Sequence, residues 1–159
     1  MTNNNDQTSS HDIVTLNGLI ATTIDSVEGY REAAEDAQNP TFKTMFMDRA
    51  AERREIVATL QTQVRSLGGD PEDDGTVLAG AHRMFMGLRD LVSGNDDVAL
   101  IAEVERGEDH IKAKYENALT DRDLSPSTAS LIESCFKSVR EGHDQMSNLN
   151  HGLTNSNAM

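Results

Sequence analysis

The residues that could do chemistry are three glutamates, Glu28, Glu52 and Glu108, and one imidazole, His143, with Glu55 and Glu105 in reserve. Together they would offer oxygen and nitrogen donors of the kind that hold iron or manganese. A dinuclear centre between helices uses one Glu from each of two helices and Glu-x-x-His from each of the other two. That spacing matters because residues three apart share a helical face and grip one ion pair together. No Glu-x-x-His occurs in the chain. Glu52 and Glu55 have the spacing without the imidazole, and the residue three before His143 is Arg140, not an acid.

Arginines compete for the same space. Arg49 and Arg53 fall near the centre of one apolar stripe, Arg31 near the centre of another, and Glu108 near the middle of a third. A carboxylate placed there must be paired, coordinated or protonated. A polar core layer of Arg31, Arg49, Arg53 and Glu108 meets that requirement without a metal, and is the leading expectation. Coordination of iron or manganese by Glu28, Glu52, Glu108 and His143 is the alternative.

Five segments with helical spacing must position these side chains. The first runs from about Asp12 to Gln38 and ends at Asn39-Pro40; its stripe is Ile13, Leu16, Ile20, Ile24, Val27 and Ala34. The second runs from about Thr41 to Leu67 and stops at Gly68-Gly69-Asp70-Pro71, where Gly supplies a left-handed cap and Pro cannot continue the helix. A shorter third segment, about Thr76 to Val92, precedes a fourth from about Asp96 to Thr120. The fifth opens at Ser125-Pro126, a cap followed by Pro at the first helical position. No stretch alternates with period two for long enough to make a strand.

Four of the segments are about 25 residues, or roughly 37 Å. Two hairpins joined by a long middle connection describe an all-α, antiparallel four-helix bundle of ferritin-like connectivity, with an additional helix in the crossover between the second and third long helices. Counted from the end that carries Pro40, Glu28 and Glu52 stand about 12 residues in, Glu108 about 11 and His143 about 8, close to one level. Residues 11–151 form the bundle on this reading. Residues 1–10 and 152–159, rich in Asn, Ser and Thr, are read as disordered tails.

Particular runs carry a family resemblance: Leu16-Asn17-Gly18-Leu19-Ile20, Glu28-Gly29-Tyr30 with Ala33-Ala34-Glu35, and Leu67-Gly68-Gly69-Asp70-Pro71. Ala81-His82-Arg83, Glu105-Arg106-Gly107-Glu108-Asp109, Tyr115 with Ala118-Leu119, and His143-Asp144 continue it. In this order, over about residues 12–150, the chain resembles a bacterial family of ferritin-like four-helix-bundle proteins of unknown function. The resemblance implies a fold and no reaction. Met84 stands where the family pattern leads one to expect Trp.

The net charge of -13 over 159 residues repels phosphate backbones and anionic lipid, so nucleic acid and membrane are poor partners. The first ten residues have no basic start or apolar run of a signal peptide, which places the expected protein in the cytoplasm. The single cysteine, Cys135, reads as a small core residue, and Tyr30 and Tyr115 as packing anchors. The expected function is that of a non-enzymatic or degenerate bundle acting through its surfaces, as a homo-oligomer (a dimer first) or a module for a protein partner, and holding no cofactor. A stress-associated role follows from analogy with ferritin-like proteins alone. The alternative is a metal-binding oxidoreductase or iron-handling protein.

Overall fold

The computed structural model describes residues 4–75 and 97–157, and within them the chain forms four helices and no strand. They are α1 (Asn4–Asp36), α2 (Pro40–Ser66), α3 (Asp97–Leu119) and α4 (Pro126–Asn157). The short segment predicted over Thr76–Val92, with His82 and Met84, lies outside the described residues. At both ends the helices run further than the sequence pattern suggests. α1 begins at Asn4 and α4 continues to Asn157, because polar Asn, Ser and Thr lower helix propensity without stopping a helix as Pro does.

The helix boundaries follow the local chemistry. Asn39 caps α2 by accepting the Thr41 N–H at 2.8 Å, and Pro40 takes the first turn. α2 ends in a Schellman turn: Gly68 adopts φ 83°, its N–H bonds the Arg65 carbonyl at 3.0 Å, and the Gly69 N–H bonds the Val64 carbonyl at 2.9 Å. Gly69 lies so close to Ile13 that an added Cβ would stand 2.7 Å from its Cδ1, so the turn seats against the start of α1. α4 opens with Ser125, whose Oγ accepts the Thr128 N–H at 3.3 Å.

Long-range contacts fix the direction of each helix. His11 and Asp12 at the start of α1 meet Asp121 and Ser125 beyond the end of α3. At the other end, Asp97 opens α3 and accepts the backbone N–H groups of Gln38 and Asn39, each at 2.9 Å. Hence α1 and α3 are antiparallel. Gln63 with Thr128 and Arg49 with Gln145 make α2 and α4 antiparallel as well. α1 packs most closely on α2, and α3 on α4, whereas α2 and α4 touch only lightly. Arranged this way, α2 finishes and α3 starts at opposite ends of the molecule. The chain begins that traverse along α1: Asn17 holds the Asp70 carbonyl and the Glu72 N–H, and Gly75 reaches Asp25.

The core is aliphatic, with Leu16, Ile20, Leu60, Val64, Leu100, Ile101, Ile111 and Ile132 buried. Each such side chain contributes about 1.5–3 kcal/mol relative to remaining exposed. Tyr30, Phe46 and Tyr115 supply the buried aromatics, with Tyr30 and Phe46 ring centroids 6.0 Å apart. No helix among the described residues is long and apolar enough to cross a membrane.

Candidate functional site: a buried charge layer

On α2 the buried positions are Phe46, Ala50, Arg53, Ile56, Leu60 and Val64, so the helical repeat carries Arg53 inward with its apolar neighbours. On α3 the same repeat buries Val104, Gly107, Glu108 and Ile111. The two helices lie on a diagonal of the bundle, and their charged side chains meet across it. Arg53 Nη1 donates to Glu108 Oε1 at 3.0 Å and Nη2 to Oε2 at 2.7 Å, with both side chains fully buried. This is the forked geometry in which a guanidinium and a carboxylate bind most strongly.

The other two helices complete the layer. From α1, Ser26 Oγ accepts a further bond from Arg53 Nη1 at 2.9 Å, and the Tyr30 ring lies under the guanidinium, 5.6 Å from its centroid to Cζ. From α4 comes Gly142. A Cβ there would stand 2.4 Å from Arg53 Nη2 and 3.1 Å from Glu108 Oε2. The diagonal pair exists because α4 presents no side chain at that point.

Burial alone would favour the neutral guanidine, but the Glu108 carboxylate reverses this and holds the Arg53 pKa above its ordinary value. Burial, and then the Glu108 charge, push the Tyr30 hydroxyl well up. Burial likewise raises Tyr115, whose hydroxyl shares a 2.8 Å hydrogen bond with Thr23. Neither tyrosine is an acid at physiological pH. The buried Cys135 thiol is pushed up to about 11, which keeps it a thiol and a poor nucleophile.

The remaining residues of interest lie elsewhere. Glu28 and Arg31 pair with each other on the surface, both about half exposed, at 3.0 Å. Arg31 therefore does not belong to the core layer, contrary to the sequence expectation. The buried face of α1 includes Thr22, Thr23, Asp25 and Ser26, so its centre, judged from apolar residues alone, is misplaced by about one position. Arg49 and Glu52 occupy the α2–α4 seam, where Arg49 donates to Glu52 at 2.9 Å and to Gln145 at 2.8 Å, and Ser138 donates to Glu52. Glu55 is exposed, and Glu105 is half-buried.

His143 bonds Asp109 at 2.6 Å through Nε2 and Asp144 at 3.2 Å through Nδ1. Burial would lower its pKa, but the two carboxylates outweigh this and raise it. Among the described residues, no three of Glu28, Glu52, Glu55, Glu105, Glu108 and His143 converge on one point. Only Glu108 lies at the centre, and its two oxygens are taken by Arg53. A pair of metal ions does not fit this set: the guanidinium already supplies the positive charge and fills the space.

Sequence reasoning missed Ser26 and Gly142. Gly142 left a signal, since an isolated glycine inside a helix costs about 1 kcal/mol against Ala and marks a close approach. Ser26 left none, because a hydroxyl on a helix reads as surface. Chemically the layer is closed. Arg53 and Glu108 neutralise each other away from solvent, and neither lines the α1–α3 groove around Gly18 and Lys114 or the α2–α4 groove around Glu52 and Cys135.

Residues 12–121, which take in most of α1 and all of α2 and α3, match the sequence model of a family described as a domain of unknown function (DUF2383). No curated protein matches the chain.

Proposed function

The chain belongs to the DUF2383 family, to which no reaction is assigned, and we propose that it is a ferritin-like bundle with a crossover between α2 and α3 whose interior is closed to chemistry and which acts through its outer helical faces. In this role it self-associates or binds a protein partner. Antiparallel neighbours, and the opposite placement of the end of α2 and the start of α3, support the ferritin-like connectivity.

One observation carries the functional reading. The forked Arg53–Glu108 pair, admitted by Gly142, stands at the level of the bundle where intra-bundle carboxylates would otherwise gather around metal. The metal-dependent alternative needs Glu28, Glu52, Glu108 and His143 to meet, and each has a separate partner: Arg31 for Glu28, Arg49 for Glu52, the buried Arg53 for Glu108 and Asp109 for His143.

The test is elemental analysis of protein purified without a poly-histidine tag. Iron and manganese are expected to be substoichiometric and removed by dialysis. Stoichiometric iron or manganese that disappears in Glu108→Gln would overturn the reading. Light scattering over a range of concentrations tests self-association, and a strict monomer that captures no protein partner would count against the surface role.

A further inference from the structure

The end of the molecule where α1 meets the α3–α4 turn brings an imidazole and two carboxylates together from separate elements. We propose that His11, Asp121 and Asp123 form a site for a zinc ion, bound through His11 Nε2 and one oxygen of each aspartate. One ligand atom from each residue lies within 4.8 Å of the other two, and the His11 Nε2–Asp121 Oδ2 contact is 2.6 Å.

Short side chains on anchored backbone hold this arrangement. Asp12, the neighbour of His11, turns inward and accepts the Ser125 N–H at 3.1 Å and its hydroxyl at 2.5 Å. Leu124, between Asp123 and Ser125, is buried, and Asp121 Oδ1 accepts the Asp123 N–H at 2.9 Å. The turn is thus tied to α1 next to the trio, through Asp12 and Ser125. Little further ordering is needed when an ion binds, which favours affinity.

Charge and donor type then select the ion. Two carboxylates and a neutral imidazole balance a divalent charge. The imidazole suits zinc and its first-row neighbours, whereas magnesium and calcium take oxygen donors. Around a tetrahedral zinc with bonds of about 2.0–2.2 Å, donor atoms stand about 3.4 Å apart. The His11–Asp121 contact therefore opens by under about an ångström as the ion enters, and the fourth position faces solvent. A second acidic group, Glu72, Asp73 and Asp74, lacks an imidazole and lies on a single loop, so it serves as an internal control.

The experiment is calorimetric titration of zinc into the full, metal-free chain without a tag. One saturable equivalent is expected, weakened at least about tenfold in His11→Ala and in Asp121→Asn. Asp73→Asn, His143→Gln and Glu108→Gln should bind as the parent does, and excess magnesium should not compete. Circular dichroism on each variant verifies that the helices are intact. Wild-type affinity in His11→Ala, or only weak multiple binding in the parent, would overturn the site. Zinc lost in Glu108→Gln and kept in His11→Ala would overturn it too, and would point back to the interior.

Discussion

Two Arg–Glu pairs in this molecule have similar contact distances and opposite surroundings. Arg53 and Glu108 meet across the bundle with no solvent exposure, while Arg31 and Glu28 meet along one turn of α1 with about half of each side chain in water. In the interior, each charge has given up its hydration and depends on its partner. On the surface, water replaces either partner at little cost. Residue type and distance do not set the worth of an ion pair here; burial does.

Glu108→Ala breaks that comparison most severely. It strands a buried guanidinium and should cost about 3–5 kcal/mol of unfolding free energy in urea titration. Gly142→Ala comes next. Helix propensity favours it by up to about 1 kcal/mol, but its Cβ meets Arg53 Nη2 at 2.4 Å, and Arg53 is pinned by Glu108 and Ser26. A net loss of about 1–3 kcal/mol is expected, as for other overpacked interiors. Replacing the whole pair, Arg53→Met with Glu108→Leu, sharpens the point. The double variant should be far more stable than Glu108→Ala alone, near or above the parent, because no charge remains buried. In that background Gly142→Ala should lose most of its penalty.

A smaller effect belongs to His143. Its pKa is raised in the folded protein by Asp109 and Asp144, so its contribution is fully present below the ordinary value of 6.5. It is lost as pH rises through the raised value. Melting curves of the parent and His143→Gln should therefore differ more at acid pH than at mildly alkaline pH. Smallest of all is Arg31→Ala, expected within about 1 kcal/mol of the parent and closer at high salt.

Much of this was legible in the chain. Pro40, Gly68-Gly69 and Ser125-Pro126 mark helix boundaries because each acts through local backbone chemistry. Arg53 and Glu108 could be read as buried since the apolar residues on either side of them repeat every three or four positions. Arg31 and Ser26 could not be sorted, because the inner face of α1 is lined partly by hydroxyls, which no hydrophobic pattern reveals. The partnership of His143 with Asp109 was hidden for another reason. The level of a residue along the bundle can be counted from sequence, but its rotation about the helix axis is fixed only when the neighbouring helix packs. The trio at His11 was illegible because it joins residues 110 positions apart that share no periodic pattern.

The latches at the two ends of the molecule bear on the order in which it assembles. Asp12 and Ser125 are 113 residues apart, and Asp97 reaches back 58 and 59 residues to Asn39 and Gln38. Closing such spans in an unfolded chain is entropically costly, while each helical hairpin needs only a short turn. The hairpins are therefore expected to nucleate first and the latches to close late, so weakening Asp12 or Asp97 should hasten unfolding more than it slows folding, which stopped-flow rates would check.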